Sequence, residues 1–404
     1  MRTARRTSLI RDGVDLTCAF VVPRCGHEVN GGAEQLCLQV AERLARRMSV
    51  EILTTCALDY MTWENHYAPG EERIGSLIVR RFPVAEVRDV AAFNALSEQL
   101  VSRKEKPTAT EQEAWMRAQG PWSPAMLEYL DAHHERYDAF VFLPYLYATT
   151  YFGLPKVANR ALLAPLAHDE WTIHLPMWDA FFELPRGFIF QTLEERDFLR
   201  RRFPRAQLEG PVLGVGVEAP NGTSAERFKK RYLIQSPFLI YVGRIDPSKG
   251  CDVMFSHFLA LKQRGYTGKL VLLGRAWMPI PDHPDIVSLG FIEESAKWDA
   301  IAAADWLIVP SPYESLSIVL LEAWAVGTPT ISNADCAVLV GQSRRSNAGL
   351  WYQSVEEFCR VVQSVDAATR QQLGAQGAQF VAETYRWSHI ESMYIQLLAG
   401  IAAS

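Results

Sequence analysis

Short, unbroken apolar runs separated by helix-patterned stretches recur along this chain, and the pattern starts afresh at Phe238. Parallel strands buried on both faces read this way, because crossover helices cover each side of their sheet. The first half opens with Leu16–Val22, then a loop through Asn30-Gly31-Gly32. A helix pattern follows, with Leu36, Val40, Leu44 and Ala45 on one face and Glu42, Arg43, Arg46 and Arg47 on the other. Further strands are predicted at Val50–Leu53, Leu77–Phe82, Ala139–Leu143, Ala161–Leu163, Gly187–Phe190 and Pro211–Leu213. The second half repeats the scheme with strands at Phe238–Val242, Leu270–Leu273, Ile286–Leu289, Trp306–Val309 and Pro329–Ser332. Helices are predicted at Cys251–Leu261 and Ser295–Ala304, and the remainder after Ser332 reads as helical.

At 404 residues the chain exceeds one ordinary core. The pattern implies an α/β protein of two Rossmann-like domains facing each other across a cleft, with ligands outside the carboxyl ends of the strands. The first domain is expected over 14–218, with a polar, helical insertion at about 85–135, and the second over 219–386. A terminal helix at 387–404 carries Ile390, Met393, Tyr394, Leu397 and Leu398 at helical spacing. A net charge of −5 argues against nucleic acid as the main partner. Seven scattered cysteines without a Cys-x-x-Cys pair suggest reduced thiols in a cytoplasmic protein. Arg2, Arg5, Arg6 and Arg11 lead into no long apolar stretch, so neither a signal peptide nor a membrane span is expected. Arg200-Arg201-Arg202 with Arg205 reads as a solvated helix end, or else as a patch for peripheral contact with an anionic membrane or lipid diphosphate.

Two stretches carry the chemistry. Gly243-Arg244-Ile245-Asp246-Pro247-Ser248-Lys249-Gly250 follows a strand and precedes a helix, bringing two cations to a strand's carboxyl end. A pyrophosphate there meets the donor fork of Arg244 and the point charge of Lys249. Each such contact at ~4 Å is worth on the order of 4 kcal/mol before desolvation, at an effective dielectric near 20. Two of them stand in for a metal ion, and no Asp-x-Asp occurs in the chain. The bland alternative is a solvated turn. In the second stretch, Ser311–Glu322, Glu314 falls in a loop and Glu322 in an apolar helix between Leu321 and Ala323. The backbone N–H groups of Ser315, Leu316, Ser317 and Ile318 are expected in that helix's first turn, where they lack intrahelical acceptors and favour an anion. The alternative is an acidic residue near a helix start plus one solvated helix position. A buried Glu322 needs donors, and ribose hydroxyls supply them. His168, after a strand and before Asp169, is either a site residue or a structural histidine. Trp63, Trp115, Trp122, Trp171 and Trp178 either fill cores or offer an acceptor sugar a stacking face.

Glu-x7-Glu followed by Ala323, Ala325, Gly327 and Pro329, and preceded by Gly-Arg-x4-Lys-Gly, resembles the retaining family-4 glycosyltransferases of GT-B fold. The resemblance is dense over 238–352 and thinner through Gly31-Gly32-Ala33-Glu34 and Ala167-His168-Asp169. It implies a nucleoside-diphosphate sugar as co-substrate, no cofactor and no metal, and a glycan or lipid-linked saccharide as acceptor. By position, Arg244 and Lys249 hold the diphosphate, Glu322 the ribose and Glu314 the sugar hydroxyls, while the amides after Glu314 meet phosphate and sugar. The backbone at Phe291-Ile292 meets the base, Gly31-Gly32 and Gly243 let backbone approach the donor, and His168 faces the transferred sugar. Ser315-Leu316-Ser317 stands where the family often has Gly-Phe-Gly. A terminal helix that packs back on the first domain is implied as well. The alternatives are a nucleotide-sugar epimerase on the same fold, or a sugar-nucleotide-binding partner without turnover.

Overall fold

A computed structural model describes residues 15–29 and 31–403. The basic opening (Arg2 to Arg11), residue 14 and Asn30 lie outside the described residues. The chain divides into two compact units, each with its own parallel sheet. Unit 1 runs to Gln191, resumes over Glu195–Leu213 and takes in the terminal stretch from Glu391; unit 2 is Thr192–Glu194 and Gly214–Ile390. The division therefore falls at Leu213/Gly214, a few residues before 218. The terminal helix, Trp387–Ala402, is counted with unit 1 from Glu391 onward. Glu391 approaches Arg43 of the first helix at 3.7 Å.

The unit 1 strands are β1 (Thr17–Val21), β2 (Ser49–Thr55), β3 (Gly70–Ile74), β4 (Leu77–Phe82), β5 (Ala139–Phe142), β6 (Ala161–Leu163) and β7 (Gly187–Phe188), in the spatial order β3-β4-β2-β1-β5-β6-β7. All pairs are parallel except β3 with β4. β3 was not expected: Gly-Glu-Glu-Arg-Ile has no apolar run, and four of its five residues are exposed. Salt bridges of Glu71 with Arg80 and of Glu72 with Arg81 tie it to β4 instead. The predicted strand at Pro211–Leu213 is a correction, since only a single bridge from Val212 to Phe190 forms there. The insertion folds as helices Val90–Ser102, Ala109–Gln119 and Pro124–His133. Thr108 and Glu111 start the second of these with a reciprocal capping box.

Unit 2 holds β8 (Phe238–Val242), β9 (Lys269–Leu273), β10 (Ile286–Gly290), β11 (Trp306–Val309), β12 (Thr330–Asn333) and β13 (Gly349–Tyr352), in the order β10-β9-β8-β11-β12-β13. β13 corrects the expectation that everything after Ser332 is helical; its four residues lie at the sheet's edge with Leu350 and Trp351 half-buried. The order is the 3-2-1-4-5-6 arrangement of a doubly wound sheet, whose strand order reverses between β8 and β11. The loops that leave these two strands are Gly243–Gly250 and Pro310–Ser317, the two chemistry-bearing stretches. Burial accounts for the strands: every residue of β11 and all but Val242 of β8 is buried. All seven cysteines are buried free thiols. Among the described residues, no helix is long and apolar enough to cross a membrane.

Candidate functional site

The loop after β8 is built by Asp246. Its carboxylate caps the short turn Pro247–Lys249, accepting from the Lys249 amide at 3.2 Å and from the Ser248 hydroxyl at 2.5 Å. Its other oxygen lies 2.5 Å from Arg244 Nε. The sequence reading passed over Asp246, although Asp-Pro-x-x is an N-cap with proline at the first turn position. Tyr241 anchors the loop's other end by donating its hydroxyl to the Arg244 carbonyl at 2.6 Å. Gly243 follows the strand at φ 150°, and a Cβ on Gly274 would stand 2.0 Å from the Gly243 carbonyl oxygen. Gly274 in turn donates its amide to Gly290 of β10 at 2.9 Å. That contact sets Phe291, which is 66% exposed, and the half-buried Ile292 just beyond the same strand edge.

The loop after β11 meets this one. Lys249 Nζ is 2.7 Å from Glu314 Oε1, bringing two residues 65 positions apart into direct contact. Gly250, at φ 71°, allows the approach: a Cβ there would stand 2.4 Å from the Pro310 carbonyl oxygen. Asn333 of β12 donates to that same oxygen at 3.1 Å.

The expected placement of the amides needs correction. The helix after the loop is Ile318–Ala325, so Ile318 alone of the four lies in its first turn. Ser315 and Leu316 precede it, and Ser317 is its N-cap in a left-handed conformation at φ 65°. The turn is fastened through carbonyls. Ser315 accepts from the Thr192 hydroxyl at 3.1 Å, and Leu316 accepts from the Gln342 amide at 2.5 Å. A left-handed L-residue costs roughly 1–2 kcal/mol, part of which glycine gives back as chain entropy. Ser317→Gly is therefore expected to raise stability by about 0.5–1 kcal/mol, read as a higher urea midpoint at unchanged slope.

Glu322 is buried within the helix, as its apolar neighbours suggested. Lys297, which the sequence reading missed, reaches it from the helix Glu294–Ala303 at 2.8 Å. Burial pushes the Glu322 carboxyl up, and the ammonium draws it only part of the way back. Burial also works against the charge on Lys297, but Glu322 and Glu294 together outweigh it and hold its pKa above the usual lysine value.

The unit 1 candidates stand apart from these in the chain. His168 is partly exposed, with Nδ1 3.4 Å from Glu170 Oε1. Its loop is held by the buried Glu195, which accepts from the Ala167 amide at 2.8 Å and the Gln191 amide at 2.6 Å. Gly31 has an internal reason to be glycine: a Cβ would stand 2.0 Å from the Glu34 carboxylate. Gly32 faces open space, with nothing within 4 Å of a Cβ. Glu34 is buried beside Arg24, Oε1 lying 2.6 Å from Nη2. Glu34→Ala leaves that guanidinium without its carboxylate and is expected to cost about 3–5 kcal/mol, measured as a lowered urea midpoint. Of the five tryptophans, Trp63, Trp115 and Trp178 are core residues, while Trp171 is 38% exposed and Trp122 half-buried. Among the described residues no cluster of three His, Cys, Asp or Glu side chains is placed to hold a metal ion.

Residues 236–365 match the profile of the family described as Glycosyl transferases group 1. The α-D-kanosaminyltransferase of Streptomyces kanamyceticus is 28% identical over 232 residues, covering 50% of this chain and 58% of that protein. The chain spans about half the length of the curated relatives it matches. In fold, the sucrose-phosphate synthase of Thermosynechococcus elongatus superposes with a TM-score of 0.71 at 18% identity, covering 96% of this chain and 100% of that one. HepE of Anabaena, solved in complex with UDP and glucose, does so with 0.67 at 14%, covering 95% and 100%. Residues 236–365 are thus similar to the Glycosyl transferases group 1 family, and the two parallel-sheet Rossmann-like units are those of the GT-B fold.

Proposed function

We propose that this chain is a retaining glycosyltransferase. It moves a sugar from a nucleoside-diphosphate donor to a hydroxyl on a glycan or lipid-linked saccharide, with side-chain cations rather than a metal ion on the diphosphate. The observation that carries the reading is the 2.7 Å contact of Lys249 with Glu314 at the strand-order reversal of unit 2. It joins a phosphate-binding cation to a carboxylate suited to sugar hydroxyls, so one ligand with both groups satisfies the pair. A HepE structure that contains UDP and glucose supports a donor of this kind.

In the mechanism, Arg244 and Lys249 stabilise charge developing on the leaving diphosphate, helped by the amide dipoles at the start of the Ile318–Ala325 helix. Glu314 accepts hydrogen bonds from the sugar and fixes its face toward the acceptor. Glu322 holds the ribose, the backbone at Phe291-Ile292 meets the base, and Gly31-Gly32 and Gly243 admit the donor close to backbone. His168 stabilises the oxocarbenium-like sugar. The departing phosphate oxygen takes the acceptor's proton on the face it leaves, so the new bond forms with the old configuration. We place the reaction in the cytoplasm, with Arg200-Arg201-Arg202 and Arg205 as the basic surface toward an anionic membrane, Arg202 being already paired with Asp179.

A thermal-shift screen against nucleotide sugars identifies the donor, because a ligand of the native state raises its stability. Proton NMR of the product then reads the anomeric centre. An α-linked donor is expected to give an α-linked product; a β-linked product contradicts retention.

A further inference from the structure

We infer that Lys297 is a positioning residue for the nucleotide's ribose: it fixes Glu322 in the orientation and charge state in which that carboxylate accepts from a pair of neighbouring hydroxyls. The inference rests on the reading of Glu322 as the ribose ligand. Lys297 has no counterpart in the motif that identified the site.

Lys297 Nζ sits between two carboxylates, 2.8 Å from Glu322 Oε1 and 2.7 Å from Glu294 Oε1. Trp298 donates its indole N–H to the same Glu294 oxygen at 2.9 Å, and the Lys297 ammonium lies 5.5 Å from the Trp298 ring centroid. The helix that carries Lys297 is itself held on two sides. Thr328, just past the Glu322 helix, donates its hydroxyl to the Ile301 carbonyl at 2.7 Å. On its other side the buried Asp299 pairs with Arg227 at 2.5 Å. The lysine stem is mostly covered, with the side chain 19% exposed. The ammonium therefore has little freedom to leave Glu322.

The chemistry follows from the count of acceptor sites. A carboxylate offers two oxygens, and Lys297 engages Oε1, so Oε2 with the remaining lone pairs is the part presented to a diol. A protonated carboxyl loses acceptor capacity and turns one oxygen into a donor. Burial alone drives Glu322 toward that neutral form, and Lys297 is the group that opposes it; Glu294, on the same helix as Lys297, works in the other direction. Without the lysine, Glu322 is expected to titrate higher still and to accept hydroxyls only at higher pH.

The test is calorimetric titration with UDP, GDP and ADP, and with the 2′-deoxy and 3′-deoxy forms of whichever binds tightest. Wild type is expected to prefer the ribonucleotide at least tenfold over a deoxy form, at every pH from 6 to 9. Lys297→Met should weaken the ribonucleotide about tenfold while leaving the deoxy forms within twofold, so that the preference disappears at pH 6 and returns in part toward pH 9. Lys297→Arg, which keeps the charge, should restore most of it. Glu294→Gln, a change at an exposed side chain, should leave it intact. A purely structural lysine would weaken ribo and deoxy forms alike, and that result overturns the inference. So does a Lys297→Met protein that keeps the preference, or a Glu294→Gln protein that loses it. Glu322→Gln separates the two levels. If it retains the ribose preference, the ribose reading of Glu322 falls and the inference with it. If it loses the preference while Lys297→Met keeps it, the inference alone falls.

Discussion

Lys249→Ala is expected to lower turnover by about 10²–10³-fold, the usual loss when one preorganised donor to developing negative charge is removed. The fold should be little affected. Lys249 is one-third exposed, while the Glu314 side chain is mostly covered at 17% exposure, so the pair is worth on the order of 1 kcal/mol to stability. The variant should melt close to wild type while product formation falls. The Michaelis constant for the donor should rise less than turnover falls, because the cation's largest contribution comes as the diphosphate departs. Lys249→Arg should recover part of the rate: it keeps the charge but not the compact ammonium that reaches Glu314. Unchanged turnover in Lys249→Ala would remove the diphosphate assignment.

Gly250→Ala is expected to act on both stability and activity, through the backbone. The residue is left-handed at φ 71°, and the added Cβ meets the Pro310 carbonyl oxygen at 2.4 Å and its carbon at 3.0 Å. Left-handed strain and overpacking against main chain sum to about 2–5 kcal/mol. Relief requires the Gly243–Gly250 loop to move off the β11 loop, which separates Lys249 from Glu314. The urea midpoint should fall, and at a temperature where the variant is fully folded its turnover should still be reduced. A variant that loses stability but keeps full turnover when folded would show that the two loops need not touch for activity.

How much of this was legible in the sequence depends on where the determining contacts lie. β8 and β11 were readable because both faces are buried, which forces near-continuous apolar runs such as Phe-Leu-Ile-Tyr-Val and Trp-Leu-Ile-Val. β3 was not, since it is an antiparallel edge strand whose fixing partners, Arg80 and Arg81, sit on the neighbouring strand. β13 was missed although it is as long as β11: it is an edge strand whose Leu350 and Trp351 are only half-buried. At the site, Arg244, Lys249, Glu314 and Glu322 could be picked out by type and spacing, and the structure brings Lys249 to Glu314 as a doubly wound sheet requires. The left-handed turn at Ser317 was marked only by the glycine that the resembling family often carries at that position, because serine itself does not mark that conformation. Lys297 gave none toward Glu322: its spacing from Glu294 points along its own helix, and its second partner lies 25 residues on. Glu34 was quoted only as part of a motif, yet its carboxylate is the reason that Gly31 has room for no side chain.

The central claim is that the loops after β8 and β11 of unit 2 hold the diphosphate and sugar of one donor. It is tested most directly by titrating the nucleotide sugar found in the screen into wild type and into the Arg244→Ala/Lys249→Ala double variant, by calorimetry. The account predicts one-to-one binding to wild type and a loss of at least about 100-fold in the variant, two charge-assisted contacts being removed at about 1.5–3 kcal/mol each. Equal affinity for both proteins, with the variant folded, would contradict it.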